Sequence, residues 1–196
     1  GVVAGLLGSN LTSKPQMWFY DVNAKVNRTL DARNRMFFSL YSGGDHTVFN
    51  KLVKGYGMDW GNATATIRWN HILNDKTNVN TSAVFSNYYY KYKSLSDGLR
   101  YVWKSNMQSY QLKSDWERYQ NNLLTLKGGV NLHYFTTMPG EVGKSGKDSN
   151  ITPSEMSRKS LWDAALYAEA NYKFLPRFLL NAGVRLSVLH APASTY

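Results

Sequence analysis

The groups of this 196-residue chain best suited to metal binding or acid–base pairing are its four histidines and thirteen carboxylates, and it contains no cysteine. That absence removes a disulfide framework, a thiolate zinc site and a cysteine nucleophile. His46, His71, His133 and His190 are scattered, and none has a second ligand at i+2 or i+4 with a supporting carboxylate, as a metal site would need. Asp115, Glu117, Asp163 and Glu169 are the carboxylates that could be paired as acid and base. They alternate with Lys and Arg along the chain, which describes a solvated, charge-balanced wall. Gly43-Gly44 and Gly128-Gly129 lack the Lys and Ser/Thr of a phosphate loop. The first pair reads as a strand end entering a loop and the second as a kink or bulge that lets a sheet curve. The methionines are dispersed, so there is no soft-metal stripe. No residue is assigned to catalysis, to a cofactor or to a metal, and the chain is not expected to be an enzyme.

The formal charge of +10 would ordinarily point to nucleic acid. Its distribution does not. Basic residues alternate along candidate strands (Lys25, Arg68, Lys113, Lys127, Arg185) or lie in polar links (Lys91, Lys93, Arg100, Lys104, Lys144, Lys147, Arg158, Lys159) and form no recognition helix or compact run. Nucleic acid is therefore not an expected partner. The Asn-x-Ser/Thr sequons at Asn10, Asn27, Asn62, Asn80 and Asn150 are what a chain rich in Asn, Ser and Thr produces without selection. Residues 1–7 lack the basic lead and cleavage pattern of a signal peptide.

The elements carrying these residues have period two. Trp162, Ala164, Leu166, Ala168, Ala170, Tyr172 and Phe174 take one parity, and Asp163, Ala165, Tyr167, Glu169, Asn171 and Lys173 the other. After Pro176-Arg177 the pattern resumes from Phe178 to Val188, so the two runs read as a hairpin. The same alternation surrounds short turns near residues 31, 75 and 121. The links near 43–57, 93–101 and 139–159 are polar and rich in Gly, Ser and Lys, and are expected to be long loops. No stretch approaches the roughly 20 apolar residues of a spanning helix. Half-apolar strands, with short turns on one rim and long loops on the opposite rim, instead describe an outer-membrane barrel.

The expected fold is all-β, an antiparallel transmembrane β-barrel wall of about eight long strands in hairpins. Alternation assigns Asp21, Lys25, Arg68, Lys113, Asp115, Lys127, Asn131, Glu169 and Arg185 to the lumen. It assigns Val22, Ile67, Leu126, Val130, Leu166, Val184 and Leu186 to lipid. The chain has 14 Tyr and 6 Trp, and their clustering at strand ends predicts two interfacial girdles. Trp18, Tyr20, Tyr56, Trp60, Tyr88, Tyr92, Trp103, Tyr134 and Trp162 fall near the long links, and Trp69, Trp116, Tyr119, Phe174 and Phe178 near the short turns.

The runs WFYDVNAKVN from Trp18, YGMDWGNATATIRWNHILNDKTNVNTSAVFSNYYYKY from Tyr56 and LYAEANYKFLPRFLLNAGVRLSVL from Leu166 resemble the TonB-dependent outer-membrane receptors of the Bacteroidetes. The resemblance covers about Trp18 to Leu189. It implies a barrel of about 22 strands with a folded plug, placed in the outer membrane of a diderm bacterium and driven by the TonB complex. On that reading residues 1–196 are a segment of one barrel domain, without its plug or closing strands. The partners implied are outer-membrane lipid and lipopolysaccharide, the remainder of the barrel and plug, and the TonB complex. A SusD-like lipoprotein encoded beside the receptor would point to glycans or peptides as cargo. The alternative from the residues alone is a small self-closed barrel with a structural or adhesive role, in which the first and last strands would pair.

Overall fold

A computed structural model describes residues 15–50, 55–96, 99–146, 149–175 and 177–192. Residues 1–7, the sequon at Asn10, Lys147 and the turn residue Pro176 lie outside the described residues. The described residues form nine strands: β1 Gln16–Thr29, β2 Asn34–Asn50, β3 Gly55–Asn74, β4 Thr77–Ser96, β5 Leu99–Tyr119, β6 Leu124–Lys144, β7 Ser154–Glu155, β8 Lys159–Leu175 and β9 Phe178–His190. All belong to one antiparallel sheet in the order β1-β2-β3-β4-β5-β6-β8-β9, with β7 beside β6. Among the described residues β1 and β9 each pair on one side only, so the sheet is open at both edges.

The turns are built by short polar side chains. Between β1 and β2, the Leu30 amide donates to the Asn34 carbonyl at 2.9 Å, and the Asp31 carboxylate accepts from the Arg33 amide at 2.7 Å. Between β5 and β6 the design repeats: the Gln120 amide reaches the Leu124 carbonyl at 3.0 Å, and Asn121 Oδ1 accepts from the amides of Leu123 and Leu124 at 2.9 Å each. In the β3–β4 turn Asn74 Oδ1 accepts from the Lys76 amide at 3.0 Å. Each is an Asx-type closure, which is why Asp and Asn mark tight reversals in sequence.

Of the links expected to be long loops, 43–57 and 93–101 are mostly strand, whereas 139–159 is strand only at its two ends and in the short β7. β2 continues to Asn50 before β3 begins at Gly55, β4 continues to Ser96 before β5 begins at Leu99, and β6 continues to Lys144. Polarity reports what a segment's faces meet, and a hairpin standing in water keeps its ladder because its backbone groups still need partners. The third link also folds back, so that β7 pairs with Glu141 and Val142 of β6. Pro139 has no N–H for the ladder, and the β5–β6 register shifts beside it, from Asn106↔Met138 to Lys104↔Glu141.

At about 3.3 Å per residue a 20-residue strand such as β3 runs roughly 66 Å, well over twice the apolar band of about 25 Å that an outer-membrane barrel presents. Ala165 is the only buried hydrophobic side chain among the described residues, while Leu166, Val184 and Leu186 stand 57%, 72% and 72% exposed. A single-layer sheet has no core of its own, and so much exposed aliphatic surface marks a face that something else covers.

Candidate functional site

Register, more than any cluster of reactive groups, defines the site. One row of cross-strand partners runs Val26, Phe38, Ile67, Ala83, Leu112, Leu132, Ala164 and Val188, one apolar residue from each long strand. The next row in the same direction runs Asn27, Phe37, Arg68, Ser82, Lys113, Asn131, Ala165 and Ser187 on the opposite side. These rows define an Ile67 face and an Arg68 face. Because side chains alternate with period two, every other residue inherits its face from the ladder.

Asp21, Lys25, Arg68, Lys113, Asp115, Lys127, Asn131, Glu169 and Arg185 all lie on the Arg68 face. Val22, Ile67, Leu126, Val130, Leu166, Val184 and Leu186 all lie on the Ile67 face. Which face meets lipid and which meets the lumen is taken up under the proposal below.

In the half of the sheet near the tight turns, the Arg68 face is a network. Lys113 Nζ lies 2.9 Å from Asp115 Oδ2 and Lys127 Nζ 3.4 Å from Glu117 Oε1. Gln111 donates to Asn131 Oδ1 at 2.7 Å, and Asn171 and Asn181 donate to Glu169 Oε1 at 3.0 and 3.3 Å. Ser109 Oγ meets His133 Nε2 at 2.6 Å. Asp115, Glu117 and Glu169 are thus held by cations and amides rather than by each other. Tyr167 lies in this network, with Lys113 Nζ 5.9 Å and the Arg185 guanidinium 5.8 Å from its ring centroid. Its hydroxyl is buried without a hydrogen-bond partner among the described residues.

Gly128 and Gly129 are not a bulge. Both sit in regular register, opposite Trp116 and Asp115. Their lack of side chains admits a ring: a Cβ on Gly129 would stand 2.6 Å from the Tyr167 hydroxyl oxygen. Gly43 and Gly44 are likewise interior to β2, and a Cβ on Gly44 would meet the Tyr20 ring at 2.8 Å. In each case a tyrosine of the adjacent strand lies across the glycine, a known way of filling a glycine gap in a sheet.

Toward the far ends of the strands the two faces exchange character. The Ile67 face carries the row Trp18, His46, Asp59, Lys91, Lys104, Glu141 and Glu155, charged over most of its width. His46 Nδ1 bonds Asp59 Oδ1, the Trp18 ring stacks 5.2 Å from the His46 ring, and Lys104 Nζ lies 3.3 Å from Glu141 Oε1. This row lies eight residues beyond the apolar row along β3, about 27 Å. The Arg68 face at the same level carries Tyr56, Met58, Trp60, Tyr90, Tyr92, Tyr101 and Trp103.

That exchange corrects the outer girdle. Trp18, Tyr20, Tyr134 and Trp162 do lie on the Ile67 face with Trp69 and Trp116. Trp60 lies on the opposite face, between Asp45 and Tyr90, together with Tyr56, Tyr88, Tyr92 and Trp103. Composition gave the right level for these rings, but side depends on register, and the adjacent Tyr88, Tyr89 and Tyr90 occupy both parities. Phe174 follows the parity of Tyr172 up to a register shift between Lys173 and Leu175 and packs on Phe178, ring centroids 5.7 Å apart. No group of three or more His, Cys, Asp or Glu capable of holding a metal occurs among the described residues.

Three solved structures similar to this sheet are described as receptors. The ferric preacinetobactin receptor BauA of Acinetobacter baumannii matches with TM-score 0.67 and 12% identity, over 94% of this chain and 35% of its own. The ferric-catecholate import receptor Fiu of E. coli K12, in an open form, matches with TM-score 0.67 and 14% identity over 91% of this chain and 38% of its own. The siderophore receptor PiuA from Acinetobacter baumannii gives TM-score 0.56 and 12% identity, over 93% and 36%. At such identities the likeness is one of fold, and the chain spans little more than a third of each receptor. No curated protein matches by sequence. The family model described as "TonB dependent receptor-like, beta-barrel" matches residues 8–192, nearly the whole chain. The chain belongs to the TonB-dependent receptor-like β-barrel family.

Proposed function

We propose that this chain is about a third of the wall of an outer-membrane barrel, of the Bacteroidetes type, that imports a nutrient or chelate with energy supplied by the TonB complex. The carrying observation is the edge-to-edge apolar row on the Ile67 face backed by the polar, hydrogen-bonded rows of the Arg68 face. Lipid covers the first face, and a wet lumen with its plug meets the second. The strand words around WGNATATIRWNH support the Bacteroidetes assignment. The unpaired β1 and β9 edges favour a segment of a larger barrel over a self-closed one, because an open edge is not tolerated in hydrocarbon. Sequence beyond this segment supplies the neighbouring strands and the plug.

Above the apolar band, Lys91, Lys93 and Lys104 lie on the Ile67 face, where lipopolysaccharide phosphates of the outer leaflet would stand. A SusD-like lipoprotein partner follows from the resemblance alone. Single cysteines in the full receptor test the facing. Those at Leu166 and Ala168 should be quenched by brominated lipid, and those at Tyr167 and Glu169 should react with a water-soluble maleimide. Equal behaviour at all four positions would reject the wall.

A further inference from the structure

We propose that the Ile67 face, at its end near the tight turns, holds one anionic phospholipid, with the phosphate at Arg118 and Lys76 and an acyl chain in the cleft beside them. The inference rests on the reading that this face meets lipid, and it adds a place and a headgroup class to that reading. Arg118 stands six residues past Leu112 of the apolar row along β5, about 20 Å. It lies one residue before the strand ends at Tyr119, so it marks the edge of the apolar band opposite to the charged row of Asp59, Lys91 and Lys104.

A cleft of about 320 Å³ opens there, and its lining includes Leu73, Thr77, Trp116, Arg118, Leu126 and Gly128. The ladder sets Arg118 between Thr77 and Leu126, with Trp116 and Gly128 in the row before it. Gly128 and the buried Thr77 keep the floor low, while Leu73 and Trp116, 48% and 54% exposed, stand as walls. An interfacial tryptophan ordinarily sends its N–H toward water or headgroups. The Trp116 indole instead donates to Ser114 Oγ at 3.0 Å, on the side away from the turns. Its polar edge is thereby satisfied within the strand, and its ring surface is left for an alkyl chain.

Two cations meet at the turn end of this cleft. Arg118 Nε donates to Gln120 Oε1 at 3.1 Å, and Lys76 Nζ, from the adjacent β3–β4 turn, donates to the Gln120 carbonyl at 3.5 Å. A neutral residue thus gathers two positive charges that repel each other. Among the described residues neither has an ion-pair partner. Glu117 is on the opposite face with Lys127, and Asp75, beside Lys76 in its turn, pairs with neither cation. The terminal nitrogens of the guanidinium are therefore open to a phosphate, whose geometry they match. Snorkelling accounts for one long cation at an interface. It does not account for two drawn to one glutamine beside an apolar cleft, the combination of basic pocket and hydrocarbon edge that selects anionic headgroups.

The test uses the full-length receptor, reconstituted in phosphatidylcholine vesicles with a minor share of phosphatidylglycerol and carrying a fluorophore on Leu73→Cys. Bromine is placed on the acyl chains of one lipid at a time. Brominated phosphatidylglycerol should quench the label roughly fivefold more per mole than brominated phosphatidylcholine, the enrichment that one cation gives an anionic headgroup. The same label on Leu186→Cys, elsewhere on the Ile67 face, should be quenched equally by both. Arg118→Gln should remove most of the excess and Lys76→Gln part of it, while Lys25→Gln, an equal change of charge on the Arg68 face, should leave it intact. Heat-modifiable migration of each variant confirms that the barrel has formed. The proposal is overturned if the two lipids quench Leu73→Cys in proportion to their amounts, if the excess survives both Arg118→Gln and Lys76→Gln, or if Leu186→Cys shows the same excess. Failure of the facing reads differently, because no brominated lipid would then quench either label.

Discussion

Gly129 leaves a gap that the Tyr167 ring fills, and the ring in turn lies between Lys113 and Arg185. A side chain at that position would meet the Ser114 carbonyl oxygen as well as the Tyr167 hydroxyl, the latter at 2.6 Å, so it has to move both strand and ring, and overpacking of this kind typically costs about 1 to 3 kcal/mol. Gly129→Val is therefore expected to lower the unfolding midpoint of the receptor in urea, with Tyr167→Ala, Gly129→Val recovering part of the loss. Face matters as much as fit. Leu132 belongs to the apolar row, so Leu132→Arg should cost about 2 to 4 kcal/mol in folding titrations into lipid. Asn171 lies on the Arg68 face within reach of Glu169, and Asn171→Arg exchanges an amide bond for an ion pair, so its loss should be much smaller. Matching losses at the two positions would contradict the facing.

At the scale of the element, the β1–β2 turn carries an acid sensitivity. The Asp31 carboxyl is held below its ordinary range, first by the hydrogen bond from the Arg33 amide and then by the Asn34 side chain. A lowered native value means that the carboxylate stabilises the turn above the unfolded value of about 3.9, and that this contribution disappears as pH falls through the native value. Exchange of the Leu30 amide, corrected for its intrinsic rate, should thus stay flat from about pH 5 upward and accelerate in stronger acid. Asp31→Ala should remove the step. These turns were legible in the sequence, since Asp31, Asn74 and Asn121 advertise Asx closure. The strands between them were legible where alternation is clean, as from Leu161 to Phe174. From Gly55 to Trp60 one parity carries Gly55, Gly57 and Asp59 and the other Tyr56, Met58 and Trp60, so the apolar side chains there share the parity of Arg68 rather than Ile67, and β2, β3, β4 and β5 run on through stretches of loop-like composition.

For the molecule as a whole, the open edges make the strongest claim. β1 residues Val22 and Val26 stand 59% and 63% exposed, and β9 residues Val184 and Val188 stand 72% and 68% exposed, each with one lateral neighbour. In the intact receptor, cysteines at Asn23 and Arg185 should fail to form a disulfide under oxidation that readily links Asn27→Cys to Phe37→Cys across the β1–β2 ladder. A β1–β9 crosslink in a monomer would restore the small closed barrel. Barrel character and the sorting of residues into two faces could be reached from alternation, while sidedness of Trp60, Tyr92 and Trp103 could not, because it depends on ladders that continue through segments of loop-like composition. The exchange of polarity along the wall also bears on bilayer thickness. In a membrane that is too thin, the lower hydrocarbon edge uncovers aliphatic side chains, a graded and modest penalty. On the proposed facing, one that is too thick would draw Asp59, Lys91, Lys104 and Glu141 into acyl chains, where each charge is far more expensive. Thermal stability across phosphatidylcholines of increasing chain length should therefore rise gently to a maximum and then drop steeply, so that the receptor senses hydrophobic mismatch from one direction.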